Sequence, residues 1–317
     1  MEVTPIGADG GGCSNEGANV RQITLLDGSV GQEVVVRAGR EPTPMWSTQV
    51  LIEQPELVGE VHAEYFRAGA TLATTNTYPV LRDRLEAEGL ENRLEALWAT
   101  AVEVACNARD AHGSGRVAGA IGPLVGSYRP EACPPPEQAE LLYADIVAAL
   151  APAVDLLLIE TMSSVAQAEG ALRAANKAAL PVWLAISVDD VDGTRLRSGE
   201  PLPALAPVLQ RYAPAALLIN CSLPEAVTVG LDIVATFGLP FGAYANGFTQ
   251  ITEAFVNGPQ TVDKLDQRRD LDPLAYARFA MQWLDQGASI VGGCCEIGPA
   301  HIAELARQIS GQGYEII

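Results

Sequence analysis

From residue 20 onward the chain alternates short apolar runs with longer stretches in which apolar residues recur at helical spacing. The runs that read as buried strands are 23–26, 71–74, 117–121, 156–159, 182–186, 216–219, 241–244 and 289–291. Between them lie helical patterns, among them 56–68 (apolar at Leu57, Val61 and Tyr65), 85–112, 136–150, 165–178, 231–237, 273–286 and 299–309. Prolines near several of the starts suit a first helical turn. Strands that alternate with helices predict parallel strands joined by βαβ crossovers. Eight such units predict an α/β fold, a single (β/α)8 TIM barrel over 21–317, preceded by a flexible Gly-rich leader over 1–20. A doubly wound sheet fits less well, because it rarely needs eight regular units and no G-x-G-x-x-G follows the first strand.

In such a barrel the C-terminal strand ends carry the chemistry. The residues that follow the runs are Asp27-Gly28-Ser29, Thr75-Asn76-Thr77-Tyr78, Gly122-Pro123, Glu160-Thr161, Ser187, Asn220-Cys221, Ala245-Asn246-Gly247 and Gly292-Gly293-Cys294-Cys295. Polar groups and thiols at nearly every strand end exceed what a structural barrel needs. Three long connections, 28–51, 122–136 and 245–271, are expected to act as lids or binding loops.

The three thiols at two of these ends, Cys221, Cys294 and Cys295, change the picture most. Three cysteine ligands leave a fourth tetrahedral position open on zinc, and an open position separates a catalytic centre from a closed structural one. A thiol reacts as the thiolate, and a free thiol near neutral pH is mostly protonated. Coordination deprotonates it outright. A substrate thiol in the fourth position would therefore be a nucleophile at neutral pH. Gly292 and Gly293 permit the bend that lets both neighbouring cysteines face one ion. The plainer reading of each cysteine alone is a small buried hydrophobe, or for the adjacent pair a vicinal disulfide. Their joint placement favours the metal. Cys13 in the leader, Cys106 on a helix and Cys133 in a Pro-rich loop are expected to be non-ligands.

Composition mainly excludes. A net charge of −19, from 20 basic and 39 acidic residues, argues against nucleic acid or an anionic membrane as partner. No apolar run reaches the roughly 18 residues of a membrane span. The first residues lack the basic start and apolar core of a signal peptide. A cytoplasmic protein with reduced thiols is expected; composition leaves open whether it forms a homo-oligomer.

Taken with their order and spacing, Leu26-Asp27-Gly28, Pro44-Met45-Trp46-Ser47, Val61-His62-Ala63-Glu64-Tyr65, Ala68-Gly69-Ala70, Thr75-Asn76-Thr77-Tyr78, Gly122-Pro123, Glu160-Thr161, Ile219-Asn220-Cys221 and Gly292-Gly293-Cys294-Cys295 with Pro299 resemble the homocysteine S-methyltransferases. The resemblance runs from Ile23 to about Ile309, and its cysteine set is the most specific part. It implies Zn2+ held by Cys221, Cys294 and Cys295, with the homocysteine thiolate as fourth ligand. It implies that Asp27 and Glu160 bind the homocysteine ammonium, with backbone N–H groups around Gly28 and Ser29 meeting the carboxylate. The small-molecule partners are then homocysteine and a methyl donor, and the product is methionine.

A free-standing enzyme of this kind needs an onium donor, of which S-methylmethionine is favoured. Aromatic faces attract sulfonium and quaternary ammonium groups. Trp46 and Tyr78 are the first candidates, Tyr128 and Tyr244 lesser ones, and Asn246 a polar anchor. Two segments depart from the family pattern: Tyr244-Ala245-Asn246-Gly247, where many relatives have Tyr-Pro-Asn-Ala-Gly, and Glu296-Ile297-Gly298, where Gly-Thr-Thr is common. Both bear on the donor pocket. Alternatives to homocysteine methylation are another thiol or selenol acceptor, another donor, and a zinc- and thiol-binding protein without turnover whose fourth position is filled by Glu296.

Overall fold

A computed structural model of the chain describes residues 20–39, 43–257 and 265–317. Apart from Val20, the expected leader, with Cys13, lies outside the described residues. Among the described residues there are nine strands: β1 (Gln22–Leu25), β2 (Leu72–Thr74), β3 (Arg116–Ile121), β4 (Leu156–Met162), β5 (Val182–Ile186), β6 (Ala216–Asn220), β7 (Phe241–Tyr244), β8 (Ile290–Val291) and β9 (Glu315–Ile316). The first eight fall on the predicted runs. They pair in parallel in the order β2-β3-β4-β5-β6-β7-β8-β1. A parallel bridge between Leu26 and Leu72 returns β1 to β2, with Thr71 N–H donating to Leu25 O at 2.7 Å and Asp27 N–H to Leu72 O at 3.0 Å. The sheet is thereby closed as a (β/α)8 barrel. The unpredicted β9 pairs with the N-terminal part of β1, at Gln22 and Ile23.

Strand alternation divides the core into two layers. Leu156 and Leu158 of β4 point into the barrel with Leu26, Leu72, Ala118, Trp183, Leu218 and Ile290. Leu157 and Ile159 point outward and pack under the helices. The same period of two carries Glu160 to the inner face at the top of the barrel. At the opposite end Arg116 closes the interior, with Nη2 donating to Thr24 Oγ1 at 3.0 Å and the guanidinium 5.9 Å from the Trp183 ring centroid.

Five helices begin at a proline, at Pro55–Arg67, Pro136–Leu150, Pro224–Val234, Pro273–Asp285 and Pro299–Gly311, the third of them starting well before the expected 231–237. The helix expected over 85–112 is broken. A short helix, Arg82–Glu86, ends before Gly89, whose φ of +67° is left-handed, and the long helix Leu94–His112 starts afresh. The stretch 28–51, expected as one long loop, contains helices Val30–Ala38 and Ser47–Glu53, which bury Val30, Val34, Val50 and Leu51. Among the described residues no helix is long and apolar enough to cross a membrane.

One buried group works against the fold. His62, on Pro55–Arg67, is fully buried, and neither ring nitrogen has a hydrogen-bond partner among the described residues. Burial pushes its pKa down to about 4. The unfolded chain binds a proton near pH 6.5 that the folded chain refuses, so stability falls as pH drops from about 6.5 toward 4. His62→Leu is expected to raise the urea midpoint at pH 7.5 and to flatten that acid-side loss. The uncompensated polar nitrogens it removes are worth about 1–3 kcal/mol. Parallel pH dependences in both proteins would show that another group is responsible.

Candidate metal centre and substrate cavity

A cavity of about 560 Å³ opens at the C-terminal ends of the strands, where the polar residues that follow each apolar run converge. Asp27, Gly28, Trp46, Tyr78, Glu160, Cys221, Cys294 and Cys295 all line it. Asn246 does not. It is fully buried, its side-chain oxygen accepts the Phe248 N–H at 3.2 Å, and its backbone N–H is held by Ser222 O. The expected polar anchor is therefore turned back into the β7 loop.

The cysteines come from two strand ends. Cys221 follows β6 with φ +49°, a left-handed backbone that a non-glycine residue adopts only when its surroundings hold it there. Three donors converge on its carbonyl: Arg197 Nη2 at 3.1 Å, Ser187 Oγ at 3.2 Å and Tyr128 Oη at 3.4 Å. Arg197 is fixed in turn by Asp190 at 2.8 Å and lies 4.6 Å from the Tyr128 ring centroid. Cys294 and Cys295 follow β8. Cys294 N–H donates to Ala245 O at 3.0 Å and Gly247 N–H donates to Cys295 O at 2.8 Å. From behind, Tyr276 Oη donates to Gly292 O at 2.6 Å and accepts the Ala245 N–H at 3.1 Å. Glycine is required at 293, where a Cβ would meet the Ile297 side chain at 2.3 Å.

The three sulfurs lie within 4.8 Å of one another. Sγ of Cys221 and Cys295 are 3.9 Å apart. Tetrahedral zinc with zinc–sulfur bonds of about 2.3 Å sets its sulfurs about 3.8 Å apart. Sγ of Cys221 and Cys294 are in closer contact still. Burial, more than the nearby Glu296 charge, pushes the Cys295 thiol up to about 12, so a thiolate there needs a counter-charge. The set fits a three-thiolate metal site: soft donors, convergent, with the cavity on the open side. Cys106 and Cys133 stand apart as free thiols, as expected of non-ligands. Glu296 does not line the cavity. Gln32 binds it twice, accepting the Glu296 N–H at 2.9 Å and donating to its carboxylate.

Two buried carboxylates share the cavity. Asp27 accepts the Thr74 N–H at 2.6 Å and the Thr74 hydroxyl at 3.0 Å. Burial drives its pKa well above the ordinary range, with Glu160 adding to the rise and Thr74 opposing it. Glu160 accepts the Tyr244 hydroxyl at 2.8 Å, and burial raises it to about 7. A bulge aims Glu160: β4 spends three residues from Ile159 to Met162 where β5 spends two, and Thr161 takes a φ of +63°. Asn220 holds that turn, its oxygen accepting the Thr161 N–H and its NH2 donating to Thr161 Oγ1, both at 3.0 Å. The Ser29 N–H is committed to Ile297 O at 3.0 Å, so it is not available for a substrate carboxylate.

Backbone strain marks the same place. Trp46, Val125, Tyr128, Thr161 and Cys221 have left-handed φ and line the cavity, and Glu296, which follows the cysteine pair, has one too. Such strain concentrates at functional sites because only an over-determined surrounding sustains it. Sequence reading missed Thr74, Arg197 and Gln32, whose contacts join segments distant in the chain; nothing local separates Arg197 from Arg195 two residues earlier.

The sequence profile of the family described as homocysteine S-methyltransferase matches residues 24–309. The chain is 32% identical over 305 residues to the homocysteine S-methyltransferase of Escherichia coli (strain K12), covering 90% of this chain and 94% of that one. It is 27% identical over 311 residues to homocysteine S-methyltransferase YbgG of Bacillus subtilis (strain 168), covering 90% and 93%. The crystal structure of the homocysteine methyltransferase MmuM from Escherichia coli in its metallated form matches with a TM-score of 0.75 at 31% identity, covering 90% of this chain and 96% of that chain. On a profile that spans nearly the whole barrel, and on relatives matched over nearly their full length, the chain belongs to the homocysteine S-methyltransferase family.

Proposed function

We propose that this enzyme moves a methyl group from an onium donor, S-methylmethionine being favoured, to the thiolate of homocysteine, giving methionine. Cys221, Cys294 and Cys295 would hold a zinc ion, which when bound lowers the pKa of a thiol in its fourth position. The observation that carries the reading is a convergence on one cavity. A three-sulfur cluster meets two buried carboxylates whose hydrogen-bond partners are an amide and hydroxyls rather than a basic group. Among the described residues Asp27 and Glu160 have no counter-ion, and an amino acid's ammonium supplies one. Tyr244 orients Glu160, and Thr74 orients Asp27. Trp46 and Tyr78 offer ring faces to a cationic methyl donor. The walls then align sulfur, methyl and leaving group for an in-line displacement. Glu296 is engaged by Gln32 and leaves the fourth position to a substrate, which favours turnover over mere zinc storage.

The test is zinc content under reducing conditions, with zinc-edge X-ray absorption before and after homocysteine. One zinc per chain, whose shell changes from three sulfurs and a lighter atom to four sulfurs, and methionine formed from S-methylmethionine, are the expected results. No zinc, or a shell indifferent to homocysteine, defeats the proposal.

Arg197 offers a separate check on the metal centre. Arg197→Met removes a donor from the Cys221 carbonyl and the stack on Tyr128. Partners behind a metal ligand are worth about 10–100-fold in affinity. Zinc affinity, measured by chelator competition, is expected to fall within that range while the far-ultraviolet dichroism stays unchanged. Wild-type affinity would show that Cys221 is held without it.

A further inference from the structure

Two arginines that neither the cysteines nor the two carboxylates engage also line the cavity. Arg84 lies on the short helix Arg82–Glu86, in the connection after β2, and lines the cavity. Its Nη2 is buried with no hydrogen-bond partner, and no carboxylate among the described residues pairs with it. The neighbouring acids are otherwise placed. Asp83 Oδ2 accepts the Val125 N–H at 2.6 Å, and Glu88 lines the same cavity without pairing to Arg84. Arg129, in the connection after β3, also lines the cavity. Its Nε is buried without a hydrogen bond and forms an ion pair with Glu131 at 3.6 Å.

A guanidinium is always charged, and its planar fork matches a carboxylate. A buried donor of this kind left unpaired is costly, and the cost is relieved when an anion arrives. The position says which anion. The Arg84 guanidinium lies 5.7 Å from the ring centroid of Tyr78, one of the two rings that offer a face to the methyl donor. Asp27, Glu160 and the cysteines stand instead at the strand ends, where the acceptor's sulfur and ammonium belong. The cavity thus carries carboxylates and thiols at the strand ends, and Arg84 and Arg129, beside Asp83 and Glu88, in the connections that follow β2 and β3.

Resting on the function proposed above, we infer that Arg84, flanked by Arg129, binds the carboxylate of a zwitterionic methyl donor and so selects donors that carry one. An onium ion without a carboxylate leaves the Arg84 guanidinium without a partner. A zwitterion brings its cation to Tyr78 and Trp46 and its anion to the guanidinium.

The experiment is calorimetric binding to the zinc-loaded enzyme, which needs no turnover, using S-methylmethionine, the carboxylate-free trimethylsulfonium ion, and homocysteine. Arg84→Met is expected to weaken S-methylmethionine by at least about tenfold, to leave homocysteine within about twofold, and to abolish the preference over trimethylsulfonium. Arg84→Lys, which keeps the charge without the fork, is expected to recover part of the loss. Unchanged S-methylmethionine binding in Arg84→Met overturns the inference, and so does a loss that falls on homocysteine instead. If the wild type binds S-methylmethionine through Arg84 but forms no methionine, the anchor stands and the proposed reaction fails. If the wild type binds no onium zwitterion, both fail.

Discussion

Cys294→Ser and Cys295→Ser are each expected to lose nearly all bound zinc and nearly all methionine formation while the barrel stays folded. A serine hydroxyl is almost the same size as a thiol but remains protonated and is a hard, poor ligand for zinc, which prefers thiolate sulfur. Groups that merely orient a ligand are worth about 10–100-fold, so loss of a ligand should exceed about 100-fold in metal affinity. The two residues are tied down by backbone bonds that a serine keeps, from Cys294 N–H to Ala245 O and from Gly247 N–H to Cys295 O. Metal per chain and turnover should therefore fall together, without a change in the unfolding midpoint of the reduced, metal-free protein. Cys106→Ser and Cys133→Ser, remote from the cluster, serve as controls and should keep their zinc. Zinc loading is run under reducing conditions, because a disulfide between any two of the three cysteines would remove two ligands. Full zinc and normal turnover in Cys294→Ser would end the three-thiolate account.

The barrel was legible because its strands are continuous apolar runs, and parallel strands buried on both faces leave that trace. The cysteines were legible because they stand where those runs stop. What the sequence hid depends on contacts between distant segments. β9 is two residues long and exists only by pairing with Gln22 and Ile23. Helices Val30–Ala38 and Ser47–Glu53 fall in a Gly- and Pro-containing stretch whose composition masks their buried valines. Gly89 ends a helix that periodicity alone would have continued. In the site, Asp27 and Glu160 could be named but not their partners, since Thr74 and Tyr244 lie 47 and 84 residues away. Asn246 follows β7 but is not among the residues that line the cavity, since a strand-end position does not say which way a side chain turns.

Those two carboxylates set the last large effect, one in which stability and binding move in opposite directions. Glu160 titrates near 7 in the folded chain, against an ordinary value of 4.5, because it is buried. The folded state therefore binds a proton more tightly than the unfolded state. That contribution is fully present below pH 4.5 and is lost as pH rises to about 7. Its size is at most roughly 3 kcal/mol. Asp27 shifts in the same direction, driven by its own burial and by the Glu160 charge. Above pH 7 the empty cavity thus holds buried negative charge that destabilises the protein, and a bound ammonium offsets it. Homocysteine should raise the melting temperature more at pH 8 than at pH 6. Glu160→Gln, a neutral shape-match, should be more stable than wild type at pH 8 without ligand. It should also bind homocysteine about 10–100-fold more weakly, the worth of a charge-assisted hydrogen bond. Deprotonation of the homocysteine thiol also makes binding tighten with pH, so the variant separates the two sources: the part of the pH profile centred near 7 should vanish in Glu160→Gln and the remainder persist. Calorimetric titrations of both proteins from pH 6 to 8.5, beside thermal melts, would decide it. A variant that binds homocysteine as the wild type does, or gains no stability at pH 8, would mean that the carboxylates serve the fold and that the ammonium is held elsewhere.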